Sequence, residues 1–284
     1  MEINGSTSLY AILGDPIAHS LSPAMYNAAF GHLGENSVYL ACRVTGGKLA
    51  EAVAGLKALG FRGGNVTIPF KEQVIPLLDG ISEEAGLIGA VNTLYWRDGR
   101  LWGDNTDGPG FIRALEQVEP RFREYGSALL LGAGGSARAV AVHLALAGIK
   151  KVTVVNRTPS KALELVRLLE KLGVQAKWLD WEDLSLGEAA AGSRIIINTT
   201  PLGMSPQTAG CPAIDFSRLG REHLAVDLIY KPRETLFLKR AGEQGCRTMN
   251  GLGMLLEQGV LSFELWSGLK APAGVMKREL ERWL

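Results

Sequence analysis

Short apolar runs alternate along the chain with longer segments whose apolar positions recur every three to four residues. That alternation predicts strand–helix–strand units and a parallel sheet. In the first part, Tyr10–Leu13, Val38–Val44 and Gly64–Ile68 predict strands, while Ser22–Leu33 and Lys48–Leu59 predict helices. Asn92–Trp96 and Arg100–Gly103 flank Asp98-Gly99, a dipeptide suited to the tight turn of a β-hairpin. A second series starts at Ala128–Leu131, with further strands at Lys151–Val155, Arg194–Ile197 and Leu224–Leu228 and helices at Gly135–Ala147 and Ser160–Leu172. Two helices, Met254–Trp266 and Ala273–Trp283, close the chain. The polar, glycine-bearing stretch Asp104–Gly110 predicts one domain boundary, and Asn250–Gly253 a second. The expected fold is α/β with two domains, residues 1–107 with 251–284 in one and 108–250 in the other.

Composition narrows the class. Lys and Arg total 30 against 29 Asp and Glu in 284 residues, a net charge of +1. That balance disfavours a dedicated nucleic-acid binder or a basic membrane-surface protein. The charge is uneven, at −4 over Met1–Asp107, +5 over Gly108–Asn250 and 0 over Gly251–Leu284. A cationic middle suits a polyanionic ligand. Cys42, Cys211 and Cys246 lie far apart with no CxxC pair, so neither a disulfide framework nor a zinc site is expected. Met1–Ser8 shows no basic, apolar leader, and nowhere do 18 apolar residues run uncharged, so the expected setting is cytoplasmic.

The strand Ala128–Leu131 runs into Gly132-Ala133-Gly134-Gly135-Ser136-Ala137 and then a helix, the dinucleotide fingerprint in its required context. Gly132 permits the tight turn, Gly134 lets the backbone approach a pyrophosphate, and Ala137 allows close helix–strand packing. The helix N-terminus offers free N–H groups to the phosphates. A glycine turn used only for packing is the alternative. After the next strand the chain reads Asn156-Arg157-Thr158-Pro159-Ser160-Lys161, with no acid to accept from a ribose 2′-hydroxyl and two cations instead. Arg157 can fork onto a 2′-phosphate and Lys161 can add charge, so NADP is the expected cofactor.

Four polar clusters follow apolar runs in the first part. In Gly14–Pro23, Ser22 before Pro23 reads as a helix N-cap, which leaves Ser20 unexplained. In Asn65-Val66-Thr67-Ile68-Pro69-Phe70-Lys71, period two puts Asn65 and Thr67 on one face, with Lys71 beyond the strand end. A lysine opening a helix there would stand against the macrodipole, which marks it as a candidate acid–base group. Asn92-Thr93 and Asp104–Gly108 complete the set, although each alone is an ordinary turn former.

Together these clusters resemble the shikimate dehydrogenase family. HSxSP, NVTIPFK, GAVNTL, DNTDGxGF, GAGG, NRT, NTTPLGM and NGLGMLLEQG occur in family order between Gly14 and Gly259. The resemblance implies reduction of 3-dehydroshikimate to shikimate with NADPH, in aromatic amino-acid biosynthesis. It implies a substrate domain completed by the C-terminal helices, beside a Rossmann-type NADP domain, with the active site in the cleft. One departure is Tyr26, where the family often has His after the serines. By motif, Ser20 and Ser22 would bind the substrate carboxylate, and Thr67, Asn92 and Asp107 would hold the ring hydroxyls and carbonyl beside Lys71. Tyr230 and Gln258 would add substrate contacts, Leu228 and Gly251 would approach the nicotinamide, and Thr199 would lie in the loop beside the cofactor. Lys71 and Asp107 would form an acid–base pair, their opposite charges coupling their titrations, and no metal is needed. A quinate/shikimate dehydrogenase with broader substrate or NAD use is the nearest alternative. A non-catalytic NADP-binding regulator would be expected to lack Lys71 or Asp107. A homodimer is left open.

Overall fold

The computed structural model describes residues 3–284; Met1 and Glu2, part of the Met1–Ser8 stretch read above, lie outside them. Contacts divide the chain into two units, one ending at Gly110 and including Leu256–Trp283, the other Phe111–Leu255. The expected limits at 107 and 250 lie a few residues before these.

In the first unit, β1 (Ser8–Gly14), α1 (Ser22–Leu33), β2 (Ser37–Arg43), α2 (Leu49–Ala58) and β3 (Gly63–Val66) make two crossover connections. β2 and β3 both lie parallel to β1, one on each side. β4 (Gly80–Ile81), α3 (Glu83–Ile88), β5 (Thr93–Arg97) and β6 (Arg100–Asp104) follow. β5 runs antiparallel to β3 and pairs with β6. Between them Asp98 and Gly99 take φ of 51° and 71°, the paired left-handed residues of a type I′ turn. The sheet order is β2-β1-β3-β5-β6-β4.

α4 (Asp107–Val118) leads into the second unit, where β7 (Ser127–Leu131), α5 (Gly135–Leu146), β8 (Lys151–Val155), α6 (Pro159–Lys171), β9 (Gln175–Leu179) and α7 (Leu186–Ala191) precede β10 (Ile195–Asn198). β11 (Leu224–Asp227), α8 (Leu236–Glu243) and β12 (Arg247–Met249) complete an all-parallel sheet in the order β12-β11-β10-β7-β8-β9. That is the doubly wound order, which reverses direction between β7 and β10 and opens a ligand crevice beyond their carboxyl ends. Its strands read as unbroken apolar runs because both faces are covered. Ala128 and Leu130 of β7 enter one core with Ile195, Ile197, Leu224 and Val226, while Leu129 and Leu131 enter the other with Ile196 and Ala225.

α9 (Leu252–Ser267) and α10 (Ala273–Glu281) end the chain, and α10 packs on α1 in the first unit. Tyr26 is fully buried there, with ring centroids 4.6 Å from Tyr39 and 4.9 Å from Trp266. The position where the family often has His is here part of an aromatic core. Among the described residues, no helix is long and apolar enough to cross a membrane.

Two local expectations need correction. Ser22 is not the N-cap of α1. That place falls to Leu21, with no side-chain cap, and the Ser22 N–H donates instead to Ser20 Oγ at 3.3 Å. The strand expected to reach Ile68 stops at Val66, and turns follow through residue 74, so Lys71 opens no α-helix; only a three-residue 3₁₀ turn, Ile75–Leu77, comes after it. α3, α7, α8, β4, β9 and β12, all short, were not foreseen from periodicity, and neither was the twelve-residue α4, which starts inside the stretch read as a domain boundary.

One glycine shows how tightly the first sheet is set. A Cβ on Gly64 would lie 2.1 Å from the Ala11 carbonyl oxygen on the neighbouring strand, and backbone cannot swing aside. Gly31, exposed within α1, would meet nothing within 4 Å. Gly64→Ala should therefore cost about 1–3 kcal/mol or more, whereas Gly31→Ala should be neutral or stabilising by up to ~1 kcal/mol. Urea midpoints of the two variants check this; equal midpoints would show that the strand has room.

Candidate active site

The carboxyl ends of β1 and β3 and the entrance to α4 bring the polar clusters of the first unit together. The loop after β1 is tied to the loop after β3, since Thr67 N–H donates to Leu13 O (2.9 Å) and Asp15 N–H to Ile68 O (3.1 Å). Gly14 lets Thr67 close in; a Cβ there would lie 2.5 Å from Thr67 Cγ2. Ser22 is buried, and Ser20 and Thr67 are half-buried.

Lys71 Nζ lies 2.5 Å from Asp107 Oδ2, with side chains only 14% and 8% exposed. The two residues are joined by the folding of their neighbours. Val91 N–H donates to Lys71 O (2.8 Å), and Asn105 Oδ1 accepts from Asp107 N–H (3.1 Å). Asn92 is the hub. Its Nδ2 donates to Asp107 Oδ1 (2.8 Å), to Thr106 Oγ1 (3.0 Å) and to Gln258 Oε1 (3.4 Å), while its Oδ1 accepts from Thr106 N–H (2.8 Å). The helix terminus expected at Lys71 is thus found at its partner: Asp107 opens α4, where a carboxylate is favoured.

In the second unit the dinucleotide fingerprint occupies the crevice of the doubly wound sheet. Gly132 has φ of 114°, and a Cβ on it would lie 2.5 Å from Thr199 Oγ1, so only glycine makes this turn. Thr199 Oγ1 itself donates to Leu131 O (2.7 Å), which pins the loop after β10 beside the loop after β7. Gly134 heads α5 with no side-chain cap, and a Cβ there would meet no protein atom within 4 Å. Ala133 is buried beneath, Gly135 and Ser136 are half-buried, and Ala137 is buried against the strands. Uncapped N–H groups facing open space are what a pyrophosphate requires.

At the end of β8, Asn156 Nδ2 donates to Thr158 O (2.9 Å) and closes a turn that leaves Arg157, Thr158 and Lys161 exposed. No acid occupies the first turn of α6, where acids are usually favoured. Cations gathered at a helix N-terminus fit a bound phosphate.

The chain matches three family models: the shikimate dehydrogenase substrate binding domain over residues 12–94, shikimate/quinate 5-dehydrogenase over 116–201, and the shikimate 5'-dehydrogenase C-terminal domain over 251–281. A shikimate dehydrogenase (NADP(+)) from Desulforamulus reducens is 48% identical, covering 99% of this chain and 97% of the relative. The chain belongs to the shikimate dehydrogenase family. A solved shikimate 5-dehydrogenase from Thermus thermophilus, in complex with NADP(H) and shikimate, has a TM-score of 0.85 at 40% identity over 98% of this chain and all of that one. A quinate dehydrogenase from Corynebacterium glutamicum, in complex with NAD, has a TM-score of 0.89 at 32% identity over 97% and 99%.

The structure distributes the family's motif residues between the two units. Lys71, Asn92, Asp107 and Gln258 share one hydrogen-bonded cluster, with Ser20, Ser22 and Thr67 in the same unit. Tyr230 and Leu228 belong to the second unit, just past β11; burial raises the Tyr230 hydroxyl pKa. Gly251 packs on Leu228 and Ile229, since a Cβ would lie 2.0 Å from Leu228 O, and its N–H donates to Ile229 O (3.0 Å). Sequence reading passed over Ser262. Its Oγ lies 2.7 Å from Thr93 Oγ1 and 3.0 Å from Thr106 Oγ1, and accepts from Asn65 Nδ2 (3.2 Å). The available signal was helical spacing, four residues after Gln258 on one face of α9.

Asp227, which ends β11, was also passed over. Its Oδ1 accepts from Asn198 Nδ2 (3.1 Å) and Ile229 N–H (3.0 Å), and its Oδ2 from the Thr235 hydroxyl (2.6 Å). Asn198 Oδ1 in turn accepts from Thr200 N–H (3.0 Å) and Oγ1 (2.7 Å). Burial outweighs these donors and pushes the carboxyl pKa up to about 6. An unfolded aspartate titrates near ~3.9, so the folded state holds this proton more tightly. Stabilisation from the protonated group is complete below ~pH 4 and is lost as pH rises through 6, a change of about 3 kcal/mol. Unfolding free energies at pH 4 and pH 7 for wild type and Asp227→Asn should therefore differ in slope by about that amount. Parallel pH profiles would show that Asp227 titrates normally.

Proposed function

We propose that the 2.5 Å contact between Lys71 and Asp107 is the acid–base centre of a reversible, NADPH-dependent reduction of 3-dehydroshikimate to shikimate. Both residues are largely shielded from water, so the charges act on a bound ketone with little screening. The cofactor supplies the hydride that the carbonyl carbon accepts. As the carbon–oxygen π pair moves onto oxygen, the Lys71 ammonium lies ready to give that oxygen its proton, and Asp107 holds the ammonium in place. In oxidation the neutral amine takes the hydroxyl proton back. Asn92 keeps Asp107 oriented through both directions.

The other motif residues divide into binding roles on the same reading. Ser20 Oγ accepts the Ser22 N–H, which leaves its own proton for a carboxylate, and the Ser22 hydroxyl is not spent on capping. Thr67, Asn92 and Asp107 meet the ring oxygens, with Gln258 and Tyr230 as further substrate contacts. The N–H groups of Ala133, Gly134, Gly135 and Ser136, following the Gly132 turn, take the pyrophosphate. Thr199, Leu228 and Gly251 flank the nicotinamide half, and Asn156, Arg157, Thr158 and Lys161 surround the 2′-phosphate. NADP is favoured over NAD because two cations stand where an NAD site carries an acid. The reading places the enzyme in the cytoplasm, a reducing setting compatible with the free thiols of Cys42, Cys211 and Cys246.

Alkoxide charge develops chiefly in the transition state, so Lys71→Ala should lower kcat by about 10²–10⁴-fold while KM moves little. Steady-state kinetics with shikimate and NADP checks this, and a near-normal kcat would return Lys71 to a binding or structural role. Arg157→Ala should weaken NADP by about 10- to 150-fold, the worth of one charge-assisted hydrogen bond, and leave NAD nearly unchanged. Lys161 can reach the same phosphate, so the Arg157→Ala/Lys161→Ala pair is the stricter test. Equal losses of kcat/KM for NAD and NADP would place the phosphate site elsewhere.

A further inference from the structure

Two neighbouring strands of the second unit end on a pair of buried polar residues. β10 closes an apolar run at Asn198, β11 closes another at Asp227, and the two stand opposite one another in the parallel register. Neither has any exposed surface. An amide and a carboxylate cut off from water must find their hydrogen bonds inside the protein.

They find them in the backbone just beyond the strands. Asn198 Oδ1 accepts from Thr200 N–H, and Asp227 Oδ1 from Ile229 N–H, each at 3.0 Å. A side-chain oxygen that takes the N–H two residues on closes an Asx turn. One turn encloses Thr199 and the other Leu228. Both enclosed residues are half-buried, so they stay open to a ligand while the closing pair does not.

The two turns are also joined to each other. Asn198 Nδ2 donates to Asp227 Oδ1 (3.1 Å), and Leu228 N–H donates to Asn198 O (3.0 Å). On one flank, Thr199 N–H and its hydroxyl both donate to Leu131 O, at 2.9 and 2.7 Å. On the other, the hydroxyl of Thr235, the N-cap of α8, donates to Asp227 Oδ2 at 2.6 Å. Moving either enclosed residue therefore means breaking bonds in both turns.

We propose that Asn198 and Asp227 are a coupled pair of positioning residues that set Thr199 and Leu228 at the nicotinamide end of the bound cofactor. The proposal rests on the reading that Thr199 and Leu228 flank the nicotinamide. The pair acts through those two residues and does not itself touch the ligand. Arg157 follows β8, which lies two strands from β10 in the sheet, roughly 10 Å away at ~4.8 Å per strand. Losing the pair should disturb one end of the cofactor and spare the other.

The test compares two ligands by calorimetric titration of the full chain: NADPH, and 2′-phospho-ADP-ribose, which keeps the phosphates and adenosine but has no nicotinamide. Asn198→Ala and Asp227→Ala should each weaken NADPH, while 2′-phospho-ADP-ribose binds as in wild type. In turnover each should lower kcat by about 10- to 100-fold, since a misplacement of ~1 Å can cost that much. The preference for NADP over NAD in kcat/KM should not change. Asp227→Asn should restore most of the loss, because its oxygen can still accept from Ile229 N–H and Asn198, and its amide can donate to Thr235 Oγ1. The Asn198→Ala/Asp227→Ala pair should lose no more than the worse single variant, as residues acting as one unit do.

Equal weakening of both ligands overturns the proposal and reduces the pair to holding the fold. Unchanged NADPH affinity and kcat in Asn198→Ala overturn it too, and losses that multiply in the double variant overturn the coupling. If Asp227→Ala does not fold, Asn198→Ala decides, since it leaves the carboxylate with two of its three donors. If wild type bound both ligands yet reduced no 3-dehydroshikimate, the functional reading would fall and the binding contrast would still decide this proposal.

Discussion

A half-buried lysine beside a buried aspartate is held in this chain by an asparagine, and the first unit is organised so that this can happen. Removing two charges from water is costly unless the remaining hydrogen-bonding capacity is met. Here Asn92 satisfies one Asp107 oxygen, Lys71 the other, and Asn105 the Asp107 backbone N–H. Asn92 is in turn fixed by Thr106 and Gln258, and Asn65 and Ser262 extend the polar network behind it. Four stretches far apart in sequence therefore converge on one contact. The antiparallel turn of β5 against β3 matters for this reason: it delivers Asn92 beside the carboxyl end of a parallel strand.

The second unit depends on close backbone approach rather than on charge. Its parallel sheet reverses order between β7 and β10, and the loops beyond those strands touch through Thr199 and Gly132. Gly251 against Leu228 repeats the device at the far side of β11. Asp227 ties the ends of β10 and β11 to the start of α8, and does so as a carboxylate whose burial outweighs its three donors. The same unit leaves the backbone at Gly134 uncapped and Arg157 and Lys161 exposed beyond the carboxyl ends of β7 and β8.

Much of this was legible in the chain. The Asp98-Gly99 turn, the apolar strands β7, β8, β10 and β11, and the glycine turn into α5 were visible because each is specified by neighbouring residues. Long-range partners were not. Lys71 was singled out by a supposed helix start, whereas the terminus belongs to Asp107, because the chain after Val66 folds into turns. Ser22 looked like a cap, but Ser20 takes its N–H. Ser262 and Asp227 carry no local pattern that distinguishes them from an ordinary helix serine and a strand-end acid. β9 is an edge strand with exposed residues, and α8 has eight residues, so neither offers enough periods to read.

The central claim is that an ammonium group at position 71, seated against Asp107, moves the proton. Its most direct test is chemical rescue: the rate of 3-dehydroshikimate reduction by the Lys71→Ala enzyme, measured against methylammonium concentration at constant ionic strength. The account predicts a saturable rise in kcat with methylammonium and none with tetramethylammonium, which has no proton to give. A rate indifferent to methylammonium, or raised equally by both ions, would contradict it.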